Sequence, residues 1–301
     1  MNLRAYDSLD QPPDSEETSK TKAIIPLIVI AQIFGLAAVV TCIIWMGYYN
    51  DGFDWADSAC VFNYHPVFMV LGLIFCFGDA MLIYRVFRFL PKLPLKAVHA
   101  VLMLLSLLFS VVGLKSAFDS HNLRAIPNMY SLHSWIGLVT IILFSLQWVI
   151  GLVTFLVPSI PLRLRATILP LHTSMGLFLF CCAIAACISG ITEKNFFGGD
   201  TYRLITCFFA AGLSPIAFRR MISRLDESVY KCAFTNILLF CSNNYYANSR
   251  YSNLPIASML SNFMGIFIVV FGGIIFYIVH RHDYRRLEPQ RANERGFASL
   301  D

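Results

Sequence analysis

Four histidines, His65, His99, His133 and His172, stand 34, 34 and 39 residues apart, each near the start of its own long apolar segment. That spacing matches one membrane crossing plus one short connection. Successive crossings run in opposite directions, so histidines at the starts of alternate segments share a side. His65 and His133 are therefore expected to face one another near one surface, and His99 and His172 near the other. Two facing imidazole pairs at two depths suit haem iron, which takes an axial ligand above and below its plane. A hydrocarbon core of about 30 Å, less a turn of about 5 Å at each end, puts two such irons about 20 Å apart.

Single histidines in membrane helices are most often satisfied interior polar groups. One in each of four successive segments strains that reading, because intramembrane ionisable residues are costly and mark functional sites. Bundle cores also hold cofactors between facing helices. Zinc is a poorer match, since it wants four ligands and each side offers two histidines. Cys181 and Cys182, the nearest intramembrane cysteines to His172, lie about 14 Å further along a helix. A histidine-lined proton or metal transporter without haem is the alternative, and broken helices near the midplane would mark it.

The elements that must position these residues are legible in the composition. Of 301 residues, 57% are hydrophobic and 14% charged, against about 25% charged in soluble domains. Six apolar runs, about 24–48, 62–86, 96–117, 131–157, 168–191 and 256–280, reach the length of about 20 residues that a helical crossing needs. In lipid the backbone must satisfy its own hydrogen bonds, so these runs are read as helices. The expected fold is an all-α membrane protein of six transmembrane helices, with spans two to five forming a four-helix bundle around two haems. The domains expected are a disordered tail (1–22), spans one to five (23–198), an atypical insertion (199–250), span six with its flanks (251–284) and a second tail (285–301).

Basic residues orient the chain, because short cytoplasmic connections collect Lys and Arg. Arg85, Arg88, Lys92 and Lys96 lie between spans two and three, and Arg163 and Arg165 between four and five. Arg281, Arg285 and Arg286 follow span six, whereas the first connection carries Asp51, Asp54 and Asp57 and no basic residue. Both termini are then cytoplasmic, His99 and His172 belong to the cytoplasmic side, and His65 and His133 to the other. The net charge of +5 is spent on these connections, and nothing points to nucleic acid.

Two stretches stand outside this regularity. Tyr6-Asp7-Ser8-Leu9 has the form of a tyrosine-based sorting signal within a tail too polar to bury a core. Residues 199–250 place Arg219, Arg220 and Arg224 against the charge bias. They are open between a lumenal subdomain, a re-entrant hairpin and a gene-model artefact. Cys207, Cys232 and Cys241 offer a disulfide there if the compartment is oxidising. Asp79, deep in span two, is expected to have a buried partner and is given no role.

The residues around the histidines resemble the cytochrome b561 family. The matching motifs are F-N-Y-H-P-V-F (62–68), G-D-A-M-L-I-Y-R (78–85), K-x-x-H-A (96–100), F-D-S-H-N (118–122), P-N-M-Y-S-L-H-S-W-I-G (127–137) and L-R-x-x-x-x-P-x-H (164–172). The resemblance covers about 24–197 and 251–286. It implies two b haems with His65/His133 and His99/His172 as axial ligands, and Tyr130 and Asn128 as further cofactor contacts. It implies ascorbate as cytoplasmic electron donor, bound by Arg85, Lys92, Lys96 and Arg165. A cationic rim concentrates such a monoanion, although the same residues also serve as positive-inside anchors. The implied acceptor is monodehydroascorbate or a ferric chelate, bound by Phe118, His121 and Asn122. Lys96 and Arg165 are the implied catalytic residues on the donor side and His121 on the acceptor side. There His121 could take the proton lost by ascorbate or give one to an incoming radical. A homodimer in a plasma, secretory-vesicle or endolysosomal membrane is also implied.

Overall fold

The computed structural model describes residues 15–88, 90–197, 256–281 and 284. The sorting motif, the 199–250 insertion with its cysteines, and the 285–301 tail lie outside the described residues. Six helices are long and apolar enough to cross a membrane, and among the described residues there is no strand. The protein is an all-helical, multi-pass membrane protein.

Span one is α1 (Ser15–Tyr49). The helix begins inside the stretch read as tail, and its apolar crossing runs from Ala23 to Tyr49. Span two is composite: a 3-10 turn (Val61–Asn63), α2 (Tyr64–Met69), a π segment (Val70–Cys76) and α3 (Phe77–Val86). The remaining spans are α4 (Lys92–Leu123), α5 (Leu132–Leu156), α6 (Leu162–Phe197) and α7 (Ile256–His280).

Spans two, three, four and five pack in that order around a ring, which closes where α6 meets the π segment of span two. Spans one and six form a separate, tightly packed pair laid against spans two and five. Lipid tails are as apolar as leucine, so association must come from close packing and buried hydrogen bonds. The span two–three contact shows both. Ser106, Ser110, Ser116 and Ser120 are buried on α4, and Ser106 Oγ donates to the Gly72 carbonyl at 2.8 Å. A Cβ on Gly72 would come within 2.9 Å of the Ser106 carbonyl oxygen, so the helices touch at backbone distance. The same serine bond satisfies a carbonyl in the π segment, where the regular helical pattern is broken. Such segments rotate everything beyond them relative to what came before, and they cluster at functional sites. Here the segment separates His65 from Ala80 and Tyr84.

At mid-depth, Phe77 is fully buried and packs on Phe144 (ring centres 4.9 Å) and Phe180 (5.3 Å). This aromatic cluster joins spans two, four and five between the two ends of the bundle. Asp79 does have a partner across the helices: Gln32 Nε2 of span one donates to its Oδ1 at 2.6 Å.

Gly72→Val is expected to destabilise the protein by about 1–3 kcal/mol through overpacking, seen as a lower thermal midpoint in detergent by circular dichroism. Gly273→Ala is the control, because a Cβ there meets nothing within 4 Å, and its midpoint should not move.

Candidate functional site

The ring brings the four histidines together as two pairs. The His65 and His133 ring centres are 6.0 Å apart with planes at 88°. Those of His99 and His172 are 6.3 Å apart at 70°. Two metal–imidazole bonds of about 2 Å plus about 1 Å from each nitrogen to its ring centre give about 6 Å. The imidazoles thus stand at the separation that one axially coordinated metal requires.

Second hydrogen bonds fix which nitrogen is offered. His65 Nδ1 lies 3.0 Å from the Gly113 carbonyl oxygen, His99 Nδ1 2.8 Å from that of Ala80, and His133 Nδ1 2.8 Å from that of Ala186. A carbonyl only accepts, so each Nδ1 carries the proton and each Nε2 keeps its lone pair for a metal. His172 is set differently, by the Phe155 ring at 5.2 Å and by the bare face of Gly151. A Cβ there would meet His172 Cε1 at 3.0 Å. Gly190 makes the same room for His133, whose Cε1 would be 2.7 Å from an added Cβ. Local sequence delivers these rings. The Ser131–Ser134 capping box starts α5 immediately before His133, and Pro170 lies within α6 two residues before His172.

A cavity of about 660 Å³ opens beside His65 and His133, within the usual range for cofactor and ligand pockets. Gly137, one turn past His133, lines it, and a Cβ there would meet nothing within 4 Å. Bis-imidazole pairs with oriented rings and an adjoining apolar cavity fit haem. Among the described residues no three His, Cys, Asp or Glu side chains gather for a metal, which leaves zinc without its four ligands.

Most residues expected at this end surround the cavity. Phe118, His121, Asn128 and Tyr130 line it, and the His121 and Tyr130 rings stack at 5.8 Å and 29°. Asn122 does not line it but accepts from Asn128 Nδ2 at 2.9 Å. Sequence ended span three near residue 117, whereas α4 runs on to Leu123 and carries His121 in its last turn. The turn that follows is tight, with Ala125 at φ 52° and Met129 at φ 59°. Such conformations are uncommon for non-glycine residues and often flank functional sites.

Four further residues on the cavity wall, Phe62, Arg124, Glu193 and Lys194, were not singled out by sequence. The signal available was helical spacing: Glu193 and Lys194 follow Gly190 at positions that share its face. Tyr130 hydrogen-bonds Glu193, and burial together with that carboxylate pushes its hydroxyl up to about 12.

At the opposite end, Lys96 Nζ donates to the Phe155 carbonyl at 3.2 Å, beside the ring that packs on His172. Lys92 and Arg165 lie within electrostatic reach of Lys96. Arg165 Nη2 donates to the carbonyls of Val157 (2.8 Å) and Pro158 (3.2 Å), while its buried Nε has no partner among the described residues. Arg85 Nη2 donates to the Val279 carbonyl at the end of span six.

The sequence pattern of eukaryotic cytochrome b561 matches residues 64–198. The lysosomal membrane ascorbate-dependent ferrireductase of Danio rerio is 35% identical over 266 residues, covering 86% of this chain and 89% of that protein. The plasma membrane ascorbate-dependent reductase of Xenopus laevis is 33% identical over 275 residues (89% and 79%). The transmembrane ascorbate-dependent reductase of Sus scrofa is 31% identical over 271 (90% and 87%).

Gly190→Ala is expected to displace the His133 ring and to lower haem per chain in a pyridine haemochrome assay. Tyr130 should stay neutral well past the ordinary tyrosine range. Its raised value means that the stability linked to its proton is complete below about pH 10 and is lost as pH climbs towards 12. A difference titration against Tyr130→Phe should therefore show its tyrosinate band only above about pH 11.

Proposed function

The chain belongs to the eukaryotic cytochrome b561 family, and from that premise we propose that it carries electrons from cytoplasmic ascorbate, through two b haems, to monodehydroascorbate or a ferric chelate on the other side. It is an ascorbate-dependent transmembrane oxidoreductase, as its relatives are. The observation that carries the reading is the pair of imidazole couples at 6.0 and 6.3 Å, set at opposite ends of one bundle. Haem supplies, when bound, a reversible one-electron iron couple within hydrocarbon. His65 with His133, and His99 with His172, are its proposed ligands.

The protein's own side chains do the rest. The backbone carbonyls of Gly113, Ala80 and Ala186 hold three rings in one tautomer, and such bonds raise the basicity of the liganding nitrogen. Lys92, Lys96 and Arg165 form the cationic edge that draws in the ascorbate monoanion, with Arg85 nearer span six. The unpartnered Arg165 Nε offers a buried donor for an ascorbate oxygen, and Lys96 holds the anion beside the His99–His172 couple. Charge distribution supports a cytoplasmic setting for this end and for both termini.

At the other end, Phe118 and the stacked His121–Tyr130 pair present the acceptor with an aromatic wall and a proton donor. Reduction of monodehydroascorbate to ascorbate takes one electron and one proton. His121 is placed to give that proton, and the Asn122–Asn128 bond holds the turn that shapes the site. A homodimer belongs to the same proposal, by family membership.

His99→Ala in proteoliposomes loaded with ascorbate should abolish reduction of external ferric citrate and remove the haem at that end, leaving the His65–His133 haem. Unchanged haem content and rate would refute the pairing.

A further inference from the structure

The polar mouth of the cavity beside His65 and His133 carries two cations to which the proposed electron path gives no task. Lys194 follows Gly190 by one turn of α6, so both look toward the same interior. Its Nζ sits 5.0 Å over the Phe62 ring, and Phe62 in turn lies 5.5 Å from the His65 ring. Among the described residues no hydrogen bond or ion pair engages that ammonium, which has three donor hydrogens to place. Arg124 reaches the mouth from the turn after α4, where its Nε donates to the Ser58 carbonyl at 2.8 Å. Lys194 and Arg124 are within electrostatic reach of each other, as is Asp51 of Lys194, yet Asp51 closes no ion pair with it.

The contrast with Lys115 is informative. That residue is also basic and at the same end, but Asp119 takes its ammonium at 2.6 Å, and Trp55 donates to the same carboxylate oxygen. Its charge is matched within the protein. Lys194 and Arg124 instead repel one another on the wall of a cavity, and the acid lining that wall, Glu193, is engaged by Tyr130. Two like charges held together at a pocket mouth are relieved by an anion bound between them, and both groups form charge-assisted bonds to carboxylates.

We propose that Lys194 and Arg124 are a carboxylate-binding pair at the mouth of this cavity. The inference rests on the electron-carrier reading above. A carboxylate can reach the pair from two sources: a propionate of the haem held by His65 and His133, or a carboxylate-bearing ferric chelate arriving from outside. Either source uses the same bonds. They differ in what is lost when the cation is removed. A propionate stripped of its counter-ion leaves extra negative charge beside the iron and favours its oxidised state, whatever the acceptor. A chelate stripped of it binds more weakly, and only when it is anionic.

The test uses the full chain with its haems in nanodiscs, comparing wild type, Lys194→Gln, Lys194→Arg, Arg124→Gln and the double glutamine variant. Haem content and the Soret spectrum verify folding. Midpoint potentials are then measured without acceptor, and KM is measured with ferric citrate and with cationic hexaammineruthenium(III). A lower potential for one haem in Lys194→Gln, restored in Lys194→Arg, assigns the pair to a propionate. An unchanged potential with KM for ferric citrate raised about tenfold or more, and no rise for hexaammineruthenium(III), assigns it to the acceptor. Should Lys194→Gln lose its haem, Arg124→Gln, outside the spans, supplies the same two readings. Haem-replete variants with wild-type potentials and wild-type KM for both acceptors overturn the inference. Wild type that ascorbate fails to reduce would sink the electron-carrier reading itself, a result separate from the comparison among variants.

Discussion

A backbone carbonyl accepting from a histidine Nδ1 is the contact on which the rest of this structure depends. In hydrocarbon an imidazole with an unplaced N–H is expensive, and one free to rotate presents either nitrogen to its partner. Tying Nδ1 to Gly113, Ala80 or Ala186 removes both problems at once. The carbonyls come from neighbouring spans for His65, His99 and His133, so the bundle must be assembled before the rings are aimed. The aim of the rings is thus a property of helix packing as much as of the histidines themselves.

The packing is arranged to permit it. Gly151 and Gly190 leave bare backbone where His172 and His133 lie, and Gly72 lets α4 approach span two at backbone distance. Ser106 uses that closeness to satisfy a carbonyl within the π segment. The segment in turn lets span two present His65 at one end and the Ala80 carbonyl, with Tyr84, to His99 at the other. Between the two ends, Phe77, Phe144 and Phe180 fill the interior. Each half of the bundle thus keeps its own couple, its own cations and its own surface.

The two ends are chemically different. The His99 end gathers Lys92, Lys96 and Arg165, of which Lys96 and Arg165 donate to backbone carbonyls. The His65 end mixes signs: Asp119 neutralises Lys115, Glu193 takes the Tyr130 hydroxyl, and Lys194 and Arg124 remain at the cavity mouth. A cluster of cations suits attraction of a small anion. On the proposed reading, a mixed end suits discrimination among acceptors, because each candidate must match several fixed charges at once.

The amino-acid sequence alone was enough to anticipate the membrane class, the six apolar helices and the meeting in space of His65 with His133 and His99 with His172. Those follow from apolar length and from the alternation of direction, both one-dimensional properties. It also reached Phe118, His121, Asn128 and Tyr130, through motifs that are contiguous in the chain. It did not reach the helical start at Ser15, the extension of α4 through His121, or the π segment, since each depends on how neighbouring helices satisfy backbone groups. Nor did it single out Phe62, Arg124, Glu193 and Lys194 as members of one cavity. They come from span two, the turn after α4 and the end of α6, far apart in sequence, and each alone has the look of a residue at a membrane boundary. Only folding the ring shut brings them to one mouth, because proximity across helices is set by crossing geometry and not by residue type.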